Sequence, residues 1–263
     1  MYCTRCGASN TAAATYCTKC GYNLANPALS VAGAVVKPVP PYSSIRGLSI
    51  SLAIMFGILL LVTIVAVVSD LFQVQLLDRI ASGLGVTDAE ATANDLRQAI
   101  IGSAYFLINI AVVVLFLVWI HHAHRNLRSL GAEGLDYSPG WAVGGFFIPI
   151  MNLFRPYQVT REIWKGSDPD FSSTDGMAWK SVRLTPLLGW WWALYLITGV
   201  VGNAVLRASF NTETLESIQS FANVTLVSDI LLVPAIILAV AVVLGIDRRQ
   251  ARRHGAQMVA AAN

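Results

Sequence analysis

The sequence predicts an all-α membrane protein in which four transmembrane helices accompany a re-entrant or interfacial broken helix, preceded by a small cysteine-rich module. Three observations predict this architecture. The 263 residues are 55% apolar and only 13% charged, whereas soluble domains carry about 25% charged residues. Four long apolar stretches lie between charged residues. All four cysteines fall within the first 20 residues, which sets the N-terminus apart from the rest of the chain.

The apolar stretches give the predicted spans of a membrane domain over residues 47–247: about 47–69, 98–120, 184–206 and 228–246. A helix crosses the hydrocarbon core with about 20 apolar residues, so the first three stretches fit directly. The fourth fits if Asp229 lies at the membrane interface. The first stretch is longer than the apolar part of a signal peptide and begins after residue 46, so we predict a permanent anchor.

The orientation follows from Lys and Arg, which are enriched in cytoplasmic loops. With four spans, 15 of these residues lie on the side of the two termini and 3 on the other side. A fifth span through residues 138–158 would change the count to 7 inside against 11 outside. We therefore predict a plasma-membrane protein with both termini in the cytoplasm and a basic cytoplasmic tail over residues 248–263. Apolar residues at helical spacing from Leu71 to Leu84 predict a separate amphipathic helix at the outer surface.

Residues 138–158, SPGWAVGGFFIPIMNLFRPYQ, are apolar but contain three prolines and three glycines. Lipid excludes an irregular backbone unless that backbone packs against protein or lines a cavity. We predict a re-entrant or interfacial segment over residues 138–167, with a half-helix from Trp141 that breaks near Pro149 and a second helix that starts at Pro156. The alternative is a buried segment of a cytoplasmic core.

The second helix of this segment is predicted to lie in the membrane interface, with Tyr157, Ile163 and Trp164 as apolar anchors. Trp164, Trp179 and the run GWWWA at 189–193 are predicted to form an aromatic belt at the cytoplasmic interface. In HHAHRNLR, residues 121–128, a metal site is conceivable, because His121 and His124 share a helix face. No Asp or Glu cluster is near them in sequence, so we interpret them as a polar helix end that meets the headgroups.

Six residues are candidates for a docking surface or a cavity: Trp141, Pro149, Asn152, Arg155, Arg161 and Asn109. Asn109 lies at the centre of the second span, where an amide needs a partner, so it indicates either an interhelical hydrogen bond or a transport path. No acidic or basic residue lies in the middle of a span, which disfavours proton-coupled transport. The sequence also shows no nucleophile paired with a general base, as an enzyme would need.

The cysteines Cys3, Cys6, Cys17 and Cys20 form two C-x2-C pairs. Each pair places two thiolates on a tight turn, and two such turns close a tetrahedral zinc site. Two disulfides are the alternative, but disulfides do not persist in a reducing cytoplasm. We therefore predict a zinc ribbon over residues 1–24 that holds a structural zinc ion, since four cysteine ligands leave no open coordination position.

The partners follow from the charge of this ribbon. Arg5 and Lys19 are its only basic residues, a small footprint beside the clustered basic patches that bind nucleic acid. Protein contacts are the favoured interpretation, and the bilayer is the partner of the spans. A proline-rich linker over residues 25–46 follows the ribbon; its KPVPPY run favours an extended conformation.

The sequence RNLRSLGAEGLDYSPGWAVGGFFIPIMNLFRPYQVTREIWKGSDP, residues 125–169, followed by a tryptophan-rich span, resembles the bacterial membrane proteins of the domain of unknown function 4328 family. The resemblance covers about residues 45–250 and extends to the N-terminal ribbon and proline-rich linker. Its motif comprises Trp141, Pro149, Asn152, Arg155 and Pro156, and the chain departs from it at Gly145, where we expect a large aromatic residue. The resemblance implies an integral membrane fold and supplies no activity.

Two functions remain open at this point. The first is a non-enzymatic adaptor or sensor, in which the membrane domain anchors a cytosolic ribbon that contacts a protein partner. The second is a small transporter or channel component, in which residues 138–158 line a cavity with Asn109, Asn152 and Arg155 as its polar groups. The sequence leaves the ligand, the partner and the oligomeric state open.

Overall fold

The computed structural model describes residues 1–3, 8–12, 14–19, 24, 40–171 and 175–262. The chain divides into two compact units, Met1–Val39 and Pro40–Asn263. Most of the predicted linker, residues 25–39, lies outside the described residues. The second unit contains the helices and is described by itself.

Six α-helices make up the described part of the second unit: α1 Arg46–Ala81, α2 Asp88–Ser129, α3 Pro139–Gly144, α4 Arg155–Gly166, α5 Pro186–Ala208 and α6 Leu215–Ala262. Four of them, α1, α2, α5 and α6, are long and apolar enough to cross a membrane. The predicted fold class, four transmembrane helices with a broken helix between the second and the third, is confirmed.

Two boundaries differ from the prediction. The apolar residues from Leu71 onwards do not form a separate helix, because α1 continues without a break to Ala81. The predicted basic tail over residues 248–263 is likewise the last part of α6, which is helical to Ala262. Its Gln250 and Arg253 are buried, so this part of the chain packs into the protein.

Helix starts follow local capping chemistry. Thr87 forms a capping box with Glu90, in which the Glu90 amide donates to the Thr87 hydroxyl and the Thr87 amide donates to the Glu90 carboxylate at 2.9 Å. Such reciprocal bonds satisfy two backbone N–H groups that a helix start would leave unpaired. Ser138 and Thr185 cap α3 and α5, and each is followed by a proline suited to a first helical position.

The long helices pack in the order α2, α1, α6, α5, with the α1–α6 contact the most extensive. Helices α3 and α4 lie at the end of the bundle where α2 ends and α5 begins, which we call the α4 end. The far end holds the α1–α2 and α5–α6 connections. Trp119 is fully buried and its indole N–H donates to the Ser49 hydroxyl at 2.9 Å, which joins α2 to α1.

The apolar face of α4 packs on the bundle. Val159, Ile163 and Trp164 are buried, so the prediction of an interfacial helix anchored in lipid by Ile163 and Trp164 is wrong. The reason is close packing on α6: a Cβ added to Gly245 would lie 2.8 Å from the Trp164 ring. The glycine therefore makes the room that the indole fills.

Candidate functional site

The helix predicted to start at Trp141 is interrupted, as expected. The interruption comes at Gly145, four residues before Pro149. Helix α3 ends there, turns follow, and a short 3-10 turn over Met151–Leu153 leads into α4. A Cβ on Gly145 would lie 2.9 Å from the Cβ of Arg155. A large aromatic residue does not fit beside α4 at this separation, which explains the glycine.

Several large apolar side chains of this segment are exposed. Trp141 is 57%, Phe147 71% and Ile150 74% exposed, and Pro149 is exposed too. The alternative that residues 138–154 form a buried cytoplasmic core segment is therefore wrong. An exposed surface of this kind marks a contact with lipid or with another protein.

The backbone of the segment is hydrogen-bonded locally despite its irregular course. Amides at six positions donate to carbonyls three or four residues earlier: Gly145, Phe146, Phe147, Asn152, Leu153 and Phe154. Hydrocarbon tolerates a backbone only when its polar groups are satisfied internally. These turns therefore satisfy many of the backbone polar groups that a segment must pair internally if it enters the apolar layer of the membrane.

A cavity of about 330 Å³ lies between α2 and α5, on the surface of α1 and α6. Its described lining is mostly apolar and aromatic, with hydrogen-bonding groups on four side chains: Asn109, Trp191, Tyr195 and Thr198. Phe146 and Phe147 of the broken segment form part of its wall. This volume falls within the range of about 300–1,000 Å³ that is usual for ligand pockets.

A second cavity of about 790 Å³ follows α5 towards the far end. It shares Tyr195, Thr198 and Leu232 with the first, so the two cavities adjoin, and we call them together the groove. The Tyr195 hydroxyl donates to the Asn152 side-chain oxygen at 2.9 Å, which ties the broken segment to α5. Among the described residues that line the two cavities, Arg207 is the one with a charged side chain.

The groove contains two of the three polar residues predicted for a cavity. Asn109 lines the first part, where its amide group donates to the Tyr105 hydroxyl of the same helix at 3.4 Å. Asn152 lines the second part. Arg155 lines neither; its guanidinium lies 4.9 Å from the centre of the Tyr137 ring. Arg155 thus packs α4 against the loop before α3, and its role as a docking or cavity group stays a prediction.

Arg161 lies on the exposed side of α4. Its neighbour Lys165 donates to the backbone oxygen of Lys180 at 2.8 Å. Desolvation, and secondarily the positive charge of Arg161, lower the pKa of Lys165. This face is a basic surface at the α4 end.

His124 contradicts the interpretation of the histidines as a helix end among headgroups. It is fully buried, and its Nε2 lies 2.8 Å from the Glu162 carboxylate of α4. The other Glu162 oxygen accepts the Asp136 amide at 2.8 Å. His121 and His122 contact backbone carbonyls. Among the described residues, no group of three or more His, Cys, Asp or Glu side chains could hold a metal ion.

Residues of α6 complete a polar layer around this pair. The Gln250 amide group is fully buried and donates to the Ala123 carbonyl at 2.8 Å and to the Ser167 hydroxyl at 3.1 Å. Arg253 donates to the carbonyls of Leu130 and Phe171, both at 2.8 Å. The layer joins α2, α4 and α6 through hydrogen bonds. Its role is therefore to stabilise the packing of these helices.

Three of the predicted belt tryptophans belong to the protein core. Trp164, Trp179 and Trp191 are buried, and the Trp179 indole donates to the Glu133 carbonyl at 2.8 Å. Trp190 is 67% exposed and is placed as a belt residue would be. The aromatic belt prediction is therefore wrong for most of its members, because their indoles fill the contacts between helices.

In the N-terminal unit, Cys3 and Cys17 are both buried. The Asn10 amide group lies 3.5 Å from the Cys17 sulfur as a donor, and the Thr18 amide donates to the Asn10 side-chain oxygen at 2.8 Å. An N–H donor at a cysteine sulfur fits a thiolate ligand. Cys6 and Cys20 lie outside the described residues, so the structure provides half of the predicted ligand set.

The four apolar helices define a multi-pass membrane protein. The model of the family described as a domain of unknown function (DUF4328) matches residues 83–248, more than half of the chain, so the chain belongs to this family. A zinc-ribbon domain model matches residues 2–24. No curated protein and no solved structure matches the chain. The resemblance found in residues 125–169 is thereby confirmed, together with the N-terminal ribbon.

Proposed function

We propose that this protein binds a lipid-like amphiphile in the groove between α2 and α5. The observation that carries the proposal is the composition of the groove wall. Residues of four long helices and of the broken segment enclose an apolar cavity, and Asn109, Tyr195 and Asn152 supply uncharged hydrogen-bonding groups along it. A few polar groups on an apolar wall are typical of small-molecule sites.

The depth of the groove supports a ligand taken from the bilayer. Tyr195 lies in the middle of the apolar stretch 184–206, and the broken segment reaches it through Asn152. A groove at this level opens to hydrocarbon, so an acyl chain is the most abundant molecule that can enter it. Arg207 at the far end of the second cavity favours an anionic head group there. The occupant we propose is therefore a single anionic lipid, with its chain in the first cavity.

The test is photo-crosslinking of the full chain in nanodiscs to a phospholipid with a diazirine in its acyl chain. We expect labelled peptides from both walls of the groove, around residues 109–117 and 195–198. Ala235→Trp places an indole inside the first cavity, because Ala235 lines it. This change is expected to reduce that labelling by about tenfold, which corresponds to a loss of ~1.4 kcal/mol of binding free energy.

Ile237→Trp is the matched control. Ile237 lies on the same helix, is 52% exposed and lines neither cavity, so its replacement should leave groove labelling unchanged. Labelling spread evenly over the exposed faces of all helices would identify ordinary annular lipid and overturn the proposal. The same conclusion follows if Ala235→Trp and Ile237→Trp label alike.

A second role, as a membrane-anchored adaptor, is supported by the zinc-ribbon match over residues 2–24. In this role Cys3, Cys6, Cys17 and Cys20 hold a structural zinc ion, and the ribbon contacts a protein partner. The buried Cys3 and Cys17 and the Asn10 donor fit such a ligand set. The excess of Lys and Arg at the α4 end supports a cytoplasmic location for this end and for both termini.

The adaptor role predicts one zinc ion per purified chain by elemental analysis, and none after replacement of all four cysteines by serine. Crosslinking from native membranes is then expected to lose a specific partner in the serine variant. Correct folding of the helical domain is checked by the diazirine label in the groove, which should persist. Zinc retained without its cysteines, or an unchanged set of partners, would count against the adaptor.

A further inference from the structure

The far ends of α1 and α6 bring two carboxyl groups together. Asp70 of α1 is only 4% exposed, and its carboxyl group lies close enough to that of Asp229 of α6 for the two to interact. A hydrogen bond between two carboxyl groups requires a proton on one of them. The contact joins the two helices that pack most extensively on one another.

The surroundings of Asp70 leave one of its oxygens without a donor. Oδ1 accepts from the Gln98 side chain at 3.3 Å. Within the part of the chain that the structure describes, no N–H or O–H group donates to Oδ2. A buried acceptor with no donor destabilises the folded protein, so we expect a hydrogen atom to face Oδ2.

The balance of charges around the two aspartates also indicates a bound proton. Among the described residues, the cation that interacts with Asp70 is Arg97 of α2. Its guanidinium donates to the Ser69 hydroxyl at 2.8 Å and to the Asn94 side-chain oxygen at 2.6 Å, and it forms no ion pair with either aspartate among the described residues. One guanidinium offsets one carboxylate, and two carboxylates in contact cannot both be ionised without a large repulsion.

We propose that Asp70 and Asp229 form a proton-binding site that shares one proton between α1 and α6 at neutral pH. The site is separate from the groove and does not rest on the groove proposal. A divalent cation fits it poorly, because Ca²⁺ takes about 6–8 oxygen ligands and the described residues contain no cluster of three acidic or metal-binding side chains.

Other groups near the pair do not replace the proton. Tyr105 of α2 is close enough to interact electrostatically with Asp229, and its hydroxyl oxygen accepts from the Asn109 amide group. Among the described residues it donates to neither aspartate. On α5, Arg207 lines the second cavity together with Ser228, the residue before Asp229. Loss of the shared proton would place two negative charges between α1 and α6 and loosen their contact at the far end.

The test is infrared spectroscopy of the full chain in nanodiscs at pH 7, where an isolated aspartate with a pKa of about 3.9 is ionised. We expect the C=O stretch of a protonated carboxylic acid in the wild type. It should be lost in Asp70→Asn and in Asp229→Asn, because each leaves a single carboxylate that Arg97 offsets. The asparagine amide can still donate to the remaining carboxylate, so both variants should fold.

Asp88→Asn is the control, because Asp88 is an exposed acid at the same end of the bundle. This variant should retain the band. Absence of the band from the wild type would overturn the proposal, and so would a band that survives in both Asp70→Asn and Asp229→Asn. Loss of the band on addition of NaCl at constant pH would identify the site as one for sodium rather than for a proton.

Discussion

A chain that ends at Asp247 is expected to lose the folded arrangement of the α4 end. The deleted residues supply Gln250 and Arg253, whose side chains are buried among α2, α4 and the loop after α4. They also supply Arg249, which donates to the Trp164 carbonyl at 3.1 Å and pairs with Asp168. Each buried group that loses its partner costs about 1–3 kcal/mol. With several such groups lost together, we expect a destabilisation greater than about 5 kcal/mol, comparable with the whole stability of a domain.

Hydrogen exchange of the purified protein in nanodiscs measures this effect, as a loss of amide protection in α4 and at the end of α2. A chain that ends at Gln257 is the control, because it keeps Arg253 and removes residues that are mostly exposed. If truncation at Asp247 prevents purification, Gln250→Ala provides a milder form of the same test. Unchanged protection of α4 in both variants would contradict the structural role of this part of α6.

Glu162→Ala is expected to lower the free energy of unfolding by about 2–6 kcal/mol, because two buried groups lose their acceptor at about 1–3 kcal/mol each. Glu162 is 3% exposed and accepts from His124 and from the Asp136 amide. The change leaves His124 and that amide without an acceptor. Reversible unfolding in mixed detergent micelles measures the difference.

Asp170→Ala is the matched control, since Asp170 is an exposed acid that follows α4. A surface change of this kind usually stays within about 0.5 kcal/mol. The double variant His124→Phe with Glu162→Met should cost less than Glu162→Ala alone, because it removes both polar groups and keeps the volume filled. A Glu162→Ala variant as stable as Asp170→Ala would show that the pair contributes little.

The membrane helices could be predicted from the sequence because the relevant signal is local. A charge-free stretch and a capping residue such as Thr185 lie within a few residues of each other. In lipid, a helix satisfies the backbone hydrogen bonds of such a stretch. The turn structure between Trp141 and Pro156 was also indicated by its glycines and prolines. The zinc ligands stay a prediction for Cys6 and Cys20, which the structure does not describe.

The polar pairs could not be found in this way, because their members meet only through tertiary packing. His124 and Glu162 are 38 positions apart, and the histidines were interpreted without a carboxylate. One signal was present: Glu162 falls at helical spacing between Val159 and Ile163, on the apolar side of α4. Asp70 and Asp229 each adjoin an apolar stretch, and their contact requires the knowledge that α1 packs on α6.

The continuity of α6 has a mechanical consequence. Pro234 removes one hydrogen bond from this helix at the level of the first cavity, beside Ala235. From there the helix runs unbroken to Ala262, a length of about 42 Å at 1.5 Å per residue. A rod of this length, turning at its proline, displaces its end by about 0.7 Å for each degree of tilt. A tilt of this part of α6 would therefore move Arg253 and lengthen its hydrogen bonds to the carbonyls of Leu130 and Phe171.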